Sequence, residues 1–408
     1  MENKFVKYFR DNVHGDILVD EMIVYELINT NFFQRLRRIE QLGGAKYVFL
    51  GANHTRFSHC IGVYHIVCKF LLNPNIVSAF SDYEIKVLKV SGLLHDIGHG
   101  PFSHTFEWIL ENAVIDSHEQ YSSKIIREDP EILKILKIYN INPEDVCSVI
   151  EGKNKKLSPL ISSQVDADRI DYLLRDGLLV GVNYAASDVE WIIRNSLYKD
   201  EDMIFNYKAK SSLESYLLGR YHMYEQVYLH KTSIAFDETL RSWFERLIDL
   251  KKINYNFINI KMIDILKEVI EKKVIPLNKY YLMDDYLLIN FFQDGRLEKD
   301  EIFAKLSYML VNRHFLKVVD NFNESGFQNF KNNLGNKEDV KYFCRKQKVS
   351  SLQLYRVKSK HEEIKLLLKN GDIKSLDSVS SLIKNSNKKS EKSVLKSNYL
   401  YLFSKDYI

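Results

Sequence analysis

The stretch Leu94-His-Asp-Ile-Gly-His-Gly-Pro-Phe-Ser-His104 decides how the rest of this chain is interpreted. His95 and Asp96 stand at the end of an apolar helical pattern that opens with the capping box Ser81-Asp-Tyr-Glu84. An aspartate at that end of a helix opposes the helix dipole, and it is costly to bury unless it is paired or bound to a metal. An ordinary turn at Asp96 is the alternative reading, but the long apolar run before it favours a functional site.

A second motif, Arg56-Phe-Ser-His59, begins an amphipathic helix that the apolar spacing predicts over residues 56–72. His59 falls on the buried face of this helix, near its start. A single histidine in that position is most often an ordinary core residue. However, seven of the twelve histidines fall between positions 54 and 118, and this concentration favours a site.

A third motif, Val165-Asp-Ala-Asp168, lies in a helical pattern predicted over residues 158–179. Tyr172 and Asp176 follow Asp168 at spacings of four residues, so the three polar side chains share one helix face. Apolar residues flank them, which predicts the lining of a cleft rather than a solvated surface.

Two histidines and two aspartates on successive helices can occupy four positions around one divalent ion: His59, His95, Asp96 and Asp168. Imidazole suits Zn, Fe, Mn, Ni or Co, and carboxylates shift the preference towards Mn and Mg. Four protein ligands leave two octahedral positions, as required to activate water against a phosphorus centre. Three nearby histidines are suited to donating a proton to a leaving oxygen: His99, His104 and His118.

Composition indicates a globular, mainly α-helical protein. Of its 408 residues, 45% are hydrophobic and 27% are charged, and only 6 are proline. The net charge of +4 argues against attraction of the whole surface to nucleic acid or to a membrane. The four cysteines show no Cys-x-x-Cys spacing, so a reducing cytoplasm is the expected setting. No signal-peptide pattern or run long enough to span a bilayer is present, and no membrane partner is expected.

The composition also predicts a division of the chain. Residues 1–250 are expected to form a helical core, and residues 251–408 a smaller α+β region rich in Ile, Asn, Lys and Tyr. Strand patterns there flank Asn370-Gly371, which predicts a type I′ hairpin turn. From Lys341 onwards, Lys and Arg outnumber Asp and Glu by 16 to 6. Residues 385–397 are rich in Lys and Ser, and a mobile loop is expected there.

Taken together, the motifs resemble the HD-domain phosphohydrolases, whose ligand pattern is H…HD…D. Within them, the chain is most similar to the dNTP triphosphohydrolases of the SAM-and-HD-domain type and their bacterial relatives. The resemblance is strong from about Phe9 to Lys231. It rests on the stretches quoted above that contain His59 and His95, and on Phe33-Gln-Arg-Leu-Arg37, Gln41-Leu-Gly-Gly44, His118-Glu119 and Asp166-Ala-Asp-Arg-Ile-Asp-Tyr172 with Arg175-Asp176. It implies an HD-domain helical core that hydrolyses a dNTP to deoxynucleoside and triphosphate.

The resemblance also implies roles for single residues. The implied metal ligands are the four residues already named, and they would hold one divalent ion (Mn, Mg, Fe, Ni or Zn). A second Mg could enter with the triphosphate. His104 would donate the proton to the 5′ oxygen, helped by His118 and Glu107, and His99 would touch the phosphates. Further residues would bind the substrate: Arg56, Arg169, Tyr172 and Arg220 at the phosphates, Gln41 and Asp176 at the 3′-hydroxyl, and Tyr228 with Leu42 against C2′.

The family's activated members bind an effector nucleotide and assemble as dimers or tetramers, so an allosteric homo-oligomer, such as a homotetramer, is implied. The effector site would involve Asn29, Gln34 and Arg37. Asn29 stands where those relatives read guanine with an aspartate, so that preference does not carry over. Tyr224 stands where relatives can carry histidine near the base, so base preference does not carry over either.

Two alternatives remain open. One is another HD phosphohydrolase, a nucleotidase or phosphodiesterase; the absence of a Gly-Tyr-Pro motif counts against the cyclic dinucleotide type, and the retained substrate residues favour triphosphates. The other is a nucleotide sensor or nucleic-acid binder, supported by Arg37-Arg38 and the basic C-terminal segment. A solvated Lys-rich surface explains that segment more simply, so nucleic acid is a disfavoured partner.

Overall fold

The architecture was examined in a computed structural model. It describes residues 5–111, 113–115, 117–185, 187–319, 323–334, 338–349, 354–355, 363–385 and 398–407. Residues 386–397, which make up nearly all of the expected mobile loop, lie outside the described residues. So does part of the first predicted C-terminal strand.

Helices dominate, and they confirm the mainly α fold class. The N-terminal helices are α1 (Met22–Ile28), α2 (Asn31–Arg35), α3 (Arg56–Leu71), α4 (Pro74–Val77), α5 (Asp82–Leu94), α6 (His104–Leu110), α7 (His118–Glu128), α8 (Pro130–Ile138), α9 (Pro143–Ile150), α10 (Ala167–Val180), α11 (Val189–Arg194), α12 (Lys210–Met223) and α13 (Lys231–Lys252). The later ones are α14 (Ile260–Ile265), α15 (Lys267–Ile270), α16 (Leu277–Tyr280), α17 (Asp285–Gly295), α18 (Glu301–Val311), α19 (Glu324–Leu334), α20 (Val340–Phe343) and α21 (Leu376–Val379).

Three small sheets complete the described part of the fold. The strands are β1 (Lys7–Asp11), β2 (Gly15–Val19), β3 (Ser196–Lys199), β4 (Asp202–Asn206), β5 (Lys317–Val319), β6 (Cys344–Val349), β7 (Lys365–Leu367), β8 (Ile373–Ser375) and β9 (Asn398–Phe403). Strands β1 and β2 form a hairpin, β3-β4-β7-β8 form a second sheet, and β5-β9-β6 form a third. The smaller α+β region expected at the C-terminus is therefore present. Within the described chain, no helix combines the length and apolar character needed to cross a bilayer.

The hydrophobic core is continuous, because one cluster of buried side chains runs from Ile17 to Leu402. Helix α13 extends across position 250, and its buried face, from Ser233 to Leu250, packs against elements of both halves. The indole of Trp243 on α13 packs on Phe303 of α18, with ring centroids 4.9 Å apart, and donates to the Ser307 hydroxyl at 2.8 Å. The predicted division at residue 250 stays a prediction.

Close contact between α3 and α10 depends on Gly62. A Cβ added at this residue would lie 1.9 Å from Oδ1 of Asp171 and 2.4 Å from Nη2 of Arg175. Any larger side chain would therefore push α10 away from α3. This contact fixes the distance between the two helices that carry His59 and Asp168.

Three local expectations were wrong. The helix predicted from residue 158 begins at Ala167, because the Asp166 carboxylate caps it by accepting from the backbone N–H groups of Ser163 and Arg169. The Asn370-Gly371 hairpin exists, but its turn is not type I′, since only Gly371 has a positive φ. Ser103 directly precedes His104, and its residue type predicts a cap for a helix that begins there, but it does not cap α6, because its hydroxyl donates to the Glu40 carbonyl and accepts from Arg56.

Candidate metal centre and substrate cleft

The fold brings together the four predicted metal ligands from α3, the end of α5 and the start of α10. The Nε2 atom of His59 lies 3.0 Å from Asp168 and 3.5 Å from Asp96. The Nε2 atom of His95 lies 3.3 Å from Asp96 and 3.6 Å from Asp168. Three of the four residues, His59, His95 and Asp168, offer ligand atoms within 4.8 Å of one another.

The hydrogen bonds of both imidazoles leave the inward nitrogens available. The Nδ1 atom of His95 is 3.0 Å from the Gly92 carbonyl oxygen, and Nδ1 of His59 is 2.8 Å from the Asp171 carboxylate. Each Nδ1 is therefore the protonated position, and each Nε2 carries a lone pair. Among the described residues, neither Nε2 has a hydrogen-bond partner, although both are buried. This donor set of two imidazoles and two carboxylates fits a divalent ion.

The electrostatics of the cluster favour positive charge. Burial lowers the pKa of His59, but the carboxylates of Asp168 and Asp171 raise it to about 10. Burial raises the pKa of the Asp96 carboxyl, but His95, His99 and the Arg56 guanidinium hold that pKa well below its usual range. A cation bound here would satisfy the carboxylates that otherwise stabilise a proton on His59.

A second layer of side chains behind His59 was not predicted from the sequence. Asp171 is fully buried, and its Oδ1 lies 2.7 Å from Nε2 of His14. The Arg175 guanidinium donates to Asp171 at 2.8 and 2.9 Å and to Asp11 at 2.7 Å. The only sequence signal for this layer was Asp171, an aspartate on the apolar face of the predicted helix. Its partners in β1 and the following turn lie far from it in sequence, so sequence patterns could not identify them.

The loop after His95-Asp96 has an unusual backbone. Phe102 and Ser103 both have positive φ, 55° and 53°, which costs energy for residues with a side chain. The buried carboxylate of Asp285, at the start of α17, accepts from the backbone N–H of Phe102 at 2.7 Å and of Glu40 at 2.9 Å. The Ser103 hydroxyl donates to the Glu40 carbonyl and accepts from Arg56. These bonds hold the loop in its strained form.

Two of the predicted catalytic histidines share one carboxylate, and a third stacks on one of them. The Glu107 side chain contacts Nδ1 of His104 at 3.0 Å and forms a close hydrogen bond with Nδ1 of His118. The ring of His99 stacks on that of His118 with centroids 3.9 Å apart. Burial raises the pKa of Glu107, but its two histidine partners lower it far below its usual range, so this carboxyl is ionised. The side chain of His104 is 70% exposed, and it is therefore accessible to a ligand.

The metal cluster opens into a cleft of about 430 Å³. Most predicted substrate residues line it: Gln41, Leu42, Arg56, Arg169, Tyr172, Asp176 and Tyr228. Arg220 does not line the cleft. Its guanidinium donates to Gln164 at 2.8 Å and lies 5.8 Å from the ring of Tyr224, which does line it. The role of Arg220 at the phosphates stays a prediction.

Asp176 is fixed from two sides. It is within hydrogen-bond distance of Nε2 of His54 at 2.7 Å, and it accepts from the Tyr228 hydroxyl at 2.6 Å. The Oε1 atom of Gln41 is buried and, within the described chain, has no hydrogen-bond partner. His54 was the missed residue here, and its only sequence signal was its place in the histidine-rich stretch.

The three residues of the expected effector site lie close together near α2. Arg37 donates to the side chain of Gln34 at 2.9 Å, and its guanidinium lies 3.5 Å from the centroid of the Phe57 ring. Gln34 also donates to the Ile28 carbonyl, and the Asn29 amide donates to the Tyr25 carbonyl. Their role in binding a nucleotide stays a prediction.

Comparison with known proteins agrees with this geometry. An HD domain matches residues 56–176, and an HD-associated region matches residues 187–265. The uncharacterised protein YwfO of Bacillus subtilis is 35% identical over 393 residues, which cover 92% of this chain and 88% of YwfO. The deoxynucleoside triphosphate triphosphohydrolase SAMHD1 homolog of Dictyostelium discoideum is 29% identical over 271 residues, covering 62% of this chain and 51% of that protein.

A solved structure shows the same fold over the whole chain. The crystal structure of a phosphohydrolase from Bacteroides thetaiotaomicron matches with a TM-score of 0.80 and 25% identity, covering 98% of this chain and 100% of that one. The matched HD domain contains the four clustered ligands and most of the cleft. From its sequence relatives and the matching domains, the chain belongs to the family of HD-domain phosphohydrolases.

Proposed function

We propose that this protein hydrolyses deoxynucleoside triphosphates to deoxynucleoside and triphosphate with the help of a bound divalent metal. One observation carries the proposal. The metal cluster and the residues expected to hold a deoxyribose, Gln41, Asp176 and Tyr228, belong to the same cleft. The SAMHD1 homolog, which is named as a deoxynucleoside triphosphate triphosphohydrolase, supports the choice of substrate.

His59, His95, Asp96 and Asp168 would hold the ion, and the ion would supply Lewis-acid polarisation of the phosphate under attack. The guanidinium groups of Arg56 and Arg169 line the same cleft and would balance the negative charge of the triphosphate. Arg56 is held against Asp96 at 2.5 Å, so its charge lies beside the cluster. This neutralisation is needed because the cleft also contains two ligand carboxylates.

His104 would deliver the proton to the departing 5′ oxygen. Its Nδ1 faces Glu107, so its Nε2 is the nitrogen that is free to donate. His118 shares Glu107; burial lowers its pKa, but Glu107 and Asp96 raise it above its usual value. The Glu107 carboxylate therefore stabilises the protonated form of His118, and general acid catalysis requires a protonated group in this position.

Selection of the sugar would depend on the part of the cleft formed by Asp176, Gln41, Tyr172, Tyr228 and Leu42. The Asp176 carboxylate would accept from the 3′-hydroxyl, and the side-chain N–H of Gln41 would donate to the oxygen of the same hydroxyl. The rings of Tyr228 and Tyr172 meet edge to face with centroids 6.2 Å apart. Together with Leu42, this wall would leave no room for a 2′-hydroxyl.

Further parts of the proposal concern regulation and assembly. The ion would be Mn or Mg, with Fe, Ni and Zn as alternatives, and a second Mg would enter with the triphosphate. Gln34 and Arg37 would contribute to an effector site, supported by their mutual contact. The protein would act in the cytoplasm as a homo-oligomer, a dimer or a tetramer.

Product analysis tests the reaction. Purified protein would be incubated with each dNTP and Mn²⁺ or Mg²⁺, with and without a second nucleotide, and the products resolved by chromatography. We expect deoxynucleoside and inorganic triphosphate, and no product from Asp96→Asn under the same conditions. Release of monophosphate or single phosphate would assign the cleft to a different phosphohydrolase reaction. No turnover under any of these conditions would contradict the proposal.

A further inference from the structure

One wall of the cleft carries polar groups that the proposed reaction does not use. It is built from the 3₁₀ turn Gly43–Tyr47, the start of α6 and the first turns of α13. Thr105, Ser233 and Asp237 line the cleft there, and the Thr105 hydroxyl donates to Oδ1 of Asp237 at 2.7 Å. None of the four metal ligands lies on these elements.

These groups are only partly satisfied. The Ser233 hydroxyl is buried, and no other described residue forms a hydrogen bond with it. Asp237 is half-buried, and its contact with Thr105 engages only Oδ1, so Oδ2 can accept a further hydrogen bond in the cleft. Burial raises the pKa of Asp237 to about 7, although Thr105 opposes the shift. A buried hydroxyl without a partner, such as that of Ser233, is unfavourable, and a ligand that donates N–H groups would supply a partner to both side chains.

The residues around Asp237 indicate which part of a nucleotide would bind beside it. A carboxylate would repel the phosphates, and Arg56 and Arg169 already mark the phosphate side of the cleft. Val227 and, from the 3₁₀ turn, Gly43, Gly44 and Ala45 line the same cleft and add no charge to it, and Gly44 packs against Phe236, the sequence neighbour of Asp237. This turn directly follows Leu42, which is assigned to the sugar. An uncharged wall next to the sugar position suits a planar base.

We infer that Asp237, fixed by Thr105 and assisted by Ser233, accepts a hydrogen bond from an exocyclic amino group of the nucleobase. The preferred substrates are then deoxynucleotides of adenine, cytosine or guanine, and those of thymine or uracil are disfavoured. This inference rests on the proposed function, because it assigns the base position of that cleft. Asp237 is in this role a specificity-determining residue.

The matched substrates dCTP and dUTP test the inference, because they differ at C4, where one has an amino group and the other a carbonyl, and at the N3 proton. We expect the full-length protein to have a kcat/KM for dCTP about tenfold above that for dUTP, the effect of one hydrogen bond to a buried acceptor. In Asp237→Asn the amide offers an N–H group to the carbonyl of uracil. The ratio should therefore fall to about one or reverse. A wild-type ratio of one, or an unchanged ratio in Asp237→Asn, would overturn the inference.

Two more variants control this experiment. Asp264→Asn makes the same chemical change at a carboxylate that is 70% exposed and outside the cleft, and it should keep the wild-type ratio. Thr105→Val removes the bond that fixes Asp237 and should lower the ratio even if Asp237→Asn does not fold, which thermal unfolding would reveal. An unchanged ratio in a folded Thr105→Val variant would count against the inference.

Measurements of nucleoside binding test this inference independently of the proposed reaction. If no dNTP is hydrolysed, the proposed function fails, and calorimetry with deoxycytidine and deoxyuridine in the presence of Mn²⁺ still tests the base position. We expect an approximately tenfold preference for deoxycytidine that is lost in Asp237→Asn. Equal affinities in the wild type, or no binding of either nucleoside, would overturn the inference.

Discussion

His59 is oriented from behind by Asp171, which also contacts His14 and Arg175. A carboxylate in this position fixes the imidazole tautomer and raises the basicity of the nitrogen that faces the metal. Loss of such a partner typically lowers metal affinity by about 10–100-fold. Asp171 therefore matters to the metal centre without being one of its ligands.

The first prediction concerns Asp171→Asn, which keeps the shape of the side chain and removes its charge. We expect the affinity for Mn²⁺, measured by calorimetry on metal-free protein, to fall about tenfold, because the amide no longer holds His59 as strongly. Asp16→Asn provides the control, since this carboxylate lies on the exposed hairpin and its side chain is 51% exposed. Equal affinity in the wild type and Asp171→Asn would show that the contact is not needed.

The second prediction concerns Tyr228, whose ring is proposed to exclude a 2′-hydroxyl. Tyr228→Ala should raise the use of ribonucleotides relative to deoxynucleotides, because removal of the ring opens space at C2′. The measurement is the ratio of kcat/KM for ATP and dATP. Tyr228→Phe keeps the ring and removes only the hydroxyl that donates to Asp176, so its ratio should stay near that of the wild type. A ratio unchanged by Tyr228→Ala would remove the role of this ring in sugar selection.

At this scale the sequence predicted the cluster of His59, His95, Asp96 and Asp168, because each lies in a short motif with its own helical context. It did not predict that Arg220 lies behind Tyr224, since side-chain direction at the end of α12 depends on a π-helical turn at 224–228. His14 was also missed, because its contact with Asp171 joins residues 157 positions apart.

Helix α17 stabilises the strained loop of the site. Asp285 at its start accepts two backbone N–H groups, those of Phe102 and Glu40, in a buried environment. Nearby, the Tyr280 hydroxyl of α16 donates to the Gly98 carbonyl. The loop is thus shaped by helices that lie far from it in sequence.

The third prediction tests this contact. Asp285→Ala leaves two buried backbone donors without a partner, at about 1–3 kcal/mol each, and should lower the free energy of unfolding in urea. It should also lower kcat, because Arg56 and His104 are positioned by the same loop. Asp285→Asn keeps one acceptor oxygen and should show an intermediate loss. Wild-type stability and activity in Asp285→Ala would mean that the loop keeps its form without this helix.

Element boundaries were predictable where a cap is local. The capping box at Ser81 forms as expected, and α3 begins at Arg56 and ends within one residue of its predicted end. The start of α10 was wrong because Asp166 and the polar residues before it satisfy backbone groups locally, which competes with helix formation. Ser103 failed as a cap because tertiary contacts use its hydroxyl.

The larger of the two core clusters joins both halves of the described chain, and the fourth prediction follows from that. A fragment of residues 1–250 should not unfold cooperatively or bind Mn²⁺, because it lacks the partners of α13 and the helix that holds the loop. Trp243 would lose its contacts with Phe303 and Ser307, and Arg246 its pair with Asp300. Circular dichroism melting and metal titration, with the full chain as control, provide the test. A cooperative transition with full metal affinity would show that this part folds alone.

The composition change near residue 250 was visible in the sequence, and the contacts across it were not. Apolar periodicity on α13 predicts that the helix is buried, but it does not identify the surface that buries it. That information depends on long-range packing between segments whose patterns are individually ordinary. The family resemblance weakened after Lys231, so it gave little help for the later helices.

The contact between Phe102 and Asp285 spans 183 residues, and this separation imposes an order of events during synthesis. The proposed metal ligands have all been translated by residue 168, but the loop beside them lacks its acceptor until residue 285 has left the ribosome. At translation rates of about 5–20 residues per second, the nascent chain exposes an incomplete site for several seconds. We therefore expect hydrolytic competence to be acquired late in translation, after most of the chain has emerged.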